Sequence, residues 1–437
     1  MNWSVALANP ELFKQSMLLG NDNKSPTRFR LPKTCAVHNE RRLSHTWVIG
    51  KSGVGKSTSL LRWASGDIEK GSGVAFFDTD GTIAEKLLTL IPKSRFDDVI
   101  WFDPSDFPVS INPFDTIPKE RKGYVAASLV DTFKSVWGYT GFATPTLDMF
   151  LYNSARAMLD HPDGTLFAMK FLITNQKYRK RVLSYLSDEI IREFWKVDFN
   201  AMPEREQREK TLSTLNKLNA MNADPYLRPL IASPETKLDF SDIITSRKIL
   251  IISAPQSKLG LEKSSLIGSI LLNQLLLGIT NSTCRVNSKN YHIYIDNCDR
   301  FAYDPILELL LSASRSGVSL TLANRYLGQL NPKLKSALIG SIGTIVSFQL
   351  GATDADTLEP EFKLYADDYS LCELNPFMAY IRSGLSTKLL DIPNLSHQGQ
   401  PGNVAKIKNL SRNKYAINTR KLERDLHKFM RGCSQSR

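Results

Sequence analysis

The segment HTWVIGKSGVGKST, from His45 to Thr58, constrains the fold of this chain more than any other stretch. Trp47 to Ile49 read as the end of an apolar strand, and Gly50 to Ser57 fit the pattern G-x-x-x-x-G-K-[ST]. A strand that must turn sharply into a helix needs backbone freedom. Gly50, Gly53 and Gly55 supply it, so that successive N–H groups converge on phosphate oxygens. The helix that begins beneath them favours an anion through its free amides and its dipole. Lys56 is placed to reach the β- and γ-phosphates and the Ser57 hydroxyl to hold a magnesium ion, while Thr58 continues the polar start before Leu60, Leu61 and Trp63. The expected ligands are ATP and Mg.

A second constraint lies far downstream, where the apolar strand YHIYI ends in Asp296 followed by Asn297. Asp296 at such a strand end is a further candidate residue of the nucleotide site. The residue after it is an amide, which orients water but accepts no proton.

Further apolar runs occur at residues 43–49, 73–78, 98–102, 248–254, 291–296, 319–324, 343–350 and 378–382. Their near-continuous apolarity implies burial on both faces, the mark of a mainly parallel sheet covered by helices in an α/β fold. Between Pro104 and Thr236 the texture changes to long helical patterns such as YVAASLVDTFKSVW and TLDMFLYNSARAMLD. The expected organisation is an irregular arm at 1–40, a nucleotide-binding core at 41–117 and 236–399, an all-α insertion at 118–235 and a basic tail at 400–437.

Composition narrows the function classes. The chain has 437 residues, of which 42% are apolar and 23% charged, enough for one large core or two to three smaller ones. Its five cysteines, Cys35, Cys284, Cys298, Cys372 and Cys433, are odd in number, widely spaced and without C-x-x-C, which favours neither a disulfide framework nor a zinc site. A reducing cytoplasm suits them. No signal peptide is visible, and the longest apolar run, Ser264 to Thr280, is interrupted by Ser269, Asn273 and Gln274 and reads as a buried helix, not a membrane span. The net charge is +12, and residues 400–437 hold ten Lys/Arg against two Asp/Glu. Such a basic end points to nucleic acid or an acidic surface, or to a solvated helix with no partner.

Taken in order, HTWVIGKSGVGKST, GVAFFD with AEKLL, DDVIWFDPSD, INPFD, LVDTFKSVWG, KILIISAP, YHIYID, SLTLAN, GTIVSFQLGATDAD and LEPEF resemble the P-loop DNA pumps of the HerA/FtsK superfamily. The resemblance runs from about Leu31 to Ser383 and is closest to the TraD/TraG-like coupling ATPases of conjugation and type IV secretion. It implies a RecA-like core with an all-α insertion, a homo- or hetero-hexameric ring, DNA gripped through its backbone, and a membrane-bound secretion partner or a nuclease partner. Lys177, Arg179, Lys180 and Arg181 of the insertion are candidate grips, as is the tail.

The same resemblance marks departures. Family members carry a catalytic glutamate where this chain has Asn297, a γ-phosphate-sensing glutamine where it has Arg325, and arginines where it has Thr146, Ser314 and Gln349; the glutamate of the helix before the sensor strand is replaced at Ser312. Arg315, one residue from Ser314, is a candidate trans-acting arginine. Losing a general base costs about 10²- to 10⁴-fold. Three readings follow: a DNA-translocating ATPase with a degenerate hydrolytic site, a non-hydrolysing assembly subunit beside an active paralogue, and a HerA-like DNA end-processing helicase.

Overall fold

The structure, a computed structural model, describes residues 16–22, 34–115, 117–138, 145–281, 291–365, 368–392 and 399–434; Cys284 lies outside them. Among the described residues there are eleven strands: β1 (Ser16–Asp22), β2 (Thr34–His38), β3 (Thr46–Ile49), β4 (Gly73–Asp78), β5 (Val99–Phe102), β6 (Ile249–Ser253), β7 (Tyr291–Ile295), β8 (Val318–Asn324), β9 (Thr344–Ser347), β10 (Met378–Ser383) and β11 (Ser386–Asp391). They form one sheet in the order β2-β1-β11-β10-β9-β3-β8-β7-β4-β6-β5. The segment β9-β3-β8-β7-β4-β6 is parallel, whereas β9-β10, β10-β11, β11-β1 and β1-β2 pair antiparallel.

All eight apolar runs become strands. The irregular arm expected at 1–40 is corrected by β1 and β2: Met17 and Leu19 of one, and Cys35 and Val37 of the other, are buried at every second position. That short alternation is masked in the sequence by neighbouring prolines, and pairing through β11 secures it.

Parallel register is what builds the site. Ile49 lies opposite Asn324, Leu322 opposite Ile295, and Ile295 opposite Phe77, so the carboxyl ends of β3, β8, β7 and β4 share one edge of the sheet. Loops leaving those four strands therefore meet, although their residues are up to about 270 positions apart. Each of the four strands is buried throughout. Phe76 stacks on Tyr294 with ring centroids 6.0 Å apart.

Beneath the helix Lys56–Glu69 runs a buried polar network. Arg42 donates to both oxygens of Asp67 at 2.8 and 2.7 Å and to the Tyr294 hydroxyl at 2.9 Å, and His292 Nδ1 lies 2.7 Å from Ser319 Oγ.

The chain divides into two compact units, one of residues 1–101, 240–257 and 275–411, the other of 102–239, 258–274 and 412–437. The first holds the phosphate loop. In the second, described residues 118–235 form helices and no strand. Its core gathers Phe150, Trp195 and Phe199, the two phenylalanine rings 5.7 Å apart. Arg179, expected as a DNA grip, is buried there: it donates at 2.9 Å to the carbonyls of Leu172 and Ile173, which end the preceding helix, and packs 4.8 Å from the Phe199 ring. Lys177, Lys180 and Arg181 are exposed.

The basic end is folded as two helices, Gly402–Tyr415 and Thr419–Ser434. Within the first unit, Ile407 is buried and Ser411 Oγ accepts from Trp101 N at 2.9 Å. Within the second, Phe429 packs edge-on to Phe171 and Tyr178 at 5.0 and 5.2 Å.

Candidate nucleotide site

The loop between β3 and the helix Lys56–Glu69 needs its glycines for separate reasons. Gly55 has φ +114°, a conformation closed to side-chain-bearing residues, and a Cβ there would sit 2.9 Å from the Phe377 ring. A Cβ on Gly50 would meet Phe348 Cβ at 2.6 Å. Gly53, at φ +80°, completes the turn. The loop is pinned from outside by Lys51 N donating to Gln349 O at 2.9 Å and Phe377 N donating to Val54 O at 2.8 Å.

Lys56 Nζ donates to the carbonyls of Gly50 and Lys51 at 2.6 and 2.7 Å, so its ammonium lies folded over the loop. Burial pulls it down to about 8, helped by Arg325 and opposed by Asp296 and Asp299. Ser57 Oγ donates to Asp296 Oδ2 at 3.0 Å, uniting two residues 239 positions apart. Burial, then the carboxylate of Asp78, push Asp296 up to about 6, while Ser57 and Lys56 draw it down. Thr58 follows in the first turn of the helix.

A hydroxyl beside a buried carboxylate short of positive charge is a hard-oxygen donor pair that suits magnesium. Ser57 and Asp296 would hold the ion, and its charge when bound would favour an ionised Asp296 and draw phosphate oxygens. The loop amides and Lys56 would hold those oxygens.

The structure relocates several expected roles. Asn297 adopts the left-handed conformation, φ 53° and ψ 56°, and its side chain turns toward the loop after β4: Nδ2 lies 3.5 Å from Thr79 Oγ1 and 3.4 Å from Asp80 Oδ2. Arg300, three residues on, points the same way, donating to Asp80 at 2.7 Å and to Thr79 Oγ1 at 3.0 Å. Arg325 flanks the phosphate loop, lining a groove of about 390 Å³ with Lys51, Ser52 and residues 351–354, and its guanidinium lies 4.0 Å from Asp80. Gln349 spends its side chain on Cys372 O at 3.0 Å.

Arg315 is not brought to the site within this chain. It is exposed in the turn Ala313–Ser316 that leads into β8, roughly 20 Å of strand from the phosphate-loop edge at about 3.3 Å per residue. Ser314 lies in that same turn, and Thr146 in the helix Pro145–Asp160 of the other unit.

Asp78, Asp80, Asp299 and Arg300 escape sequence reasoning. Asp78 ends β4 and accepts the amides of Asp80, Ile83 and Ala84 at 2.8 to 2.9 Å, capping the helix Thr82–Leu90. Its signal is legible in retrospect as an acidic strand end followed by Thr-Asp-Gly.

A phosphate loop and a strand-end aspartate on a largely parallel, helix-covered sheet define the RecA-like P-loop ATPase fold. Solved structures share it. The chain is similar to the bacterial conjugative coupling protein TrwB in unbound form, with 13% identity, 84% of this chain and 88% of that one covered, and TM-score 0.58. It is similar to TrwB in complex with ADP and Mg2+ at 13% identity over 88% of this chain and 96% of that one, TM-score 0.58. VirB4 of Thermoanaerobacter pseudethanolicus matches at 14% identity over 87% and 97%, TM-score 0.60. No protein-family model matches the chain, and no curated protein does. At these identities the likeness establishes the fold.

Proposed function

We propose that this chain is a Mg-ATP-binding ATPase of the coupling type, acting on DNA in conjugative or type IV secretion transfer. One observation carries the reading: the 3.0 Å contact of Ser57 with Asp296 beside the glycine cradle and Lys56. The nucleotide and Mg2+ bound to TrwB, on the same fold, support it. DNA enters as a backbone ligand. Arg420, Arg424, Lys428 and Arg431 recur along one exposed face of the helix Thr419–Ser434, a spacing suited to phosphates and blind to sequence. Lys177, Lys180 and Arg181 are further exposed cations. The working unit is a homo- or hetero-hexameric ring in the cytoplasm, docked on a membrane-bound secretion partner; among the described residues no helix is long and apolar enough to cross a membrane.

Asn297 favours a second reading, a non-hydrolysing subunit that holds nucleotide beside an active paralogue. DNA-stimulated phosphate release separates the two. The first reading expects turnover that Lys56→Ala abolishes, and DNA affinity that falls with salt by a slope of about 0.9 per phosphate contacted. Tight ATP binding with no turnover under any DNA condition selects the second. Absence of nucleotide binding overturns both.

A further inference from the structure

The turn that leads into β10 holds a phenylalanine where the backbone calls for glycine. Met378 N donates to Asn375 O at 3.0 Å, closing a four-residue turn with Pro376 and Phe377 at its centre. Proline suits the first central position. Phe377, at the second, has φ +66°, in the left-handed region that such a turn reserves for glycine or asparagine and that a bulky side chain enters only with strain. Strain of this kind gathers at ligand clamps.

The main chain does not require that ring. Phe377 N donates to Val54 O and Phe377 O accepts from Ile392 N, both at 2.8 Å, so the clamp on the phosphate loop is made of backbone atoms that a glycine would supply without strain. The core beneath the loop is already filled by Phe348, which is fully buried and stands 3.3 Å from where a Cβ on Gly55 would sit. The Phe377 ring approaches the same point at 2.9 Å and stays partly open to solvent. An aromatic face is thus held, by a strained backbone, where the loop becomes the helix Lys56–Glu69.

Strand order indicates which part of a nucleotide reaches it. Asp296 follows β7, two strands from β3 on one side; Phe377 precedes β10, two strands from β3 on the other. β10 runs antiparallel to β9, so its first residues share the edge at which β3 ends: Ser347 lies opposite both Ile49 and Tyr380. With magnesium and the outer phosphates drawn toward Asp296 and Lys56, the α-phosphate end and its nucleoside leave the loop on the β10 side.

We propose that Phe377 is the stacking platform for the nucleobase of the bound nucleotide. This rests on the reading of the loop as an ATP site. A ring face offers no hydrogen-bonding edge, so the contact adds affinity for a nucleoside triphosphate without choosing among bases. The turn and the packing on Gly55 fix the ring in advance, and little side-chain freedom is lost when the base arrives.

The test compares wild type, Phe377→Gly, Phe377→Leu and Phe377→Tyr as full chains with magnesium present. Affinities for ATP, GTP and inorganic tripolyphosphate, which carries the phosphates without a nucleoside, are measured by calorimetric titration, together with melting temperatures. Phe377→Gly is expected to lose about tenfold or more in affinity for ATP and GTP alike and to keep its affinity for tripolyphosphate. Its melting temperature stays near that of wild type, because relief of the turn offsets the lost ring contact. Phe377→Leu, which keeps an apolar side chain in the same turn but no ring face, shows the same selective loss. Phe377→Tyr, which keeps the face, binds ATP as wild type does. Equal loss of ATP and tripolyphosphate affinity in Phe377→Gly and Phe377→Leu means that the ring only supports the loop, and overturns the assignment. So does ATP affinity unchanged in both variants, or a wild type that binds tripolyphosphate as tightly as ATP; the phosphate site survives these outcomes. A wild type that binds neither ATP nor tripolyphosphate overturns the nucleotide site itself.

Discussion

Asn297 shows how one residue can mislead when judged by type alone. Its backbone is left-handed, a conformation that asparagine tolerates and glutamate does not favour, at a cost of roughly 1–2 kcal/mol. Its side chain faces Asp80 at 3.4 Å, so a carboxylate in its place meets another carboxylate. Asn297→Glu is therefore expected to lower the melting temperature and to leave turnover at or below wild type, by thermal scan and phosphate-release assay; a large gain in rate contradicts this geometry. Gly55→Ala forces a Cβ into φ +114° against the Phe377 ring, which costs about 1–3 kcal/mol and weakens ATP binding in a titration. The glycines, Lys56 and Ser57 are legible in the sequence because their chemistry is local and their spacing fixed. The direction of the 297 side chain is not, since it depends on a backbone angle that no residue pattern encodes. For the same reason Asp299 and Asp80 pass as ordinary surface acids until the strand ends are brought together.

The strands are legible as elements because burial on both faces leaves continuous apolar runs, from GVAFFD to SLTLAN. The strands at the β2 end of the sheet read less well. β1, β2 and β11 are half-covered or short, and only pairing with neighbours already in place makes them strands. The second helix after the phosphate loop owes its start to a carboxylate outside it, Asp78, whose contacts with the Ile83 and Ala84 amides replace two of the missing intrahelical acceptors while it also holds the Asp80 amide before the helix. Asp78→Ala is expected to cost about 1–2 kcal/mol and to raise amide exchange over residues 80–84, whereas Asp78→Asn, which keeps one acceptor, costs less. Equal exchange in the wild type and Asp78→Ala contradicts the capping role. The terminal helices show the converse error: a run of cations reads as a free tail, but Ile407 on one helix and Phe429 on the other are packed against the protein and hold it down.

For the molecule as a whole, the buried network around Arg42 contributes stability that acid removes. Burial, and then Arg42, lower His292 to about 3 from 6.5. Burial works to raise Asp67, yet Arg42, His292 and the hydrogen bonds hold it at about 2 against 3.8. In both cases the unfolded chain binds the proton first, so the stability these two groups contribute is complete above pH 6.5, falls as pH drops from there toward 3, and falls further between 3.8 and 2. The melting temperature against pH should trace that descent, and Asp67→Asn, which strands a buried guanidinium, should cost about 3–5 kcal/mol at neutral pH. None of this network is legible beforehand, because Arg42, Asp67 and His292 lie on three elements whose meeting is a property of the sheet. The account as a whole stands on the union of the phosphate loop with Asp296 in one Mg-nucleotide site. ATP affinity with and without magnesium, measured by calorimetric titration for wild type, Lys56→Ala and Asp296→Asn, tests that union most directly. The account predicts tight magnesium-dependent binding in the wild type, loss of most affinity in Lys56→Ala, and loss of the magnesium dependence in Asp296→Asn. ATP binding that ignores magnesium, or that survives Lys56→Ala unchanged, would contradict it.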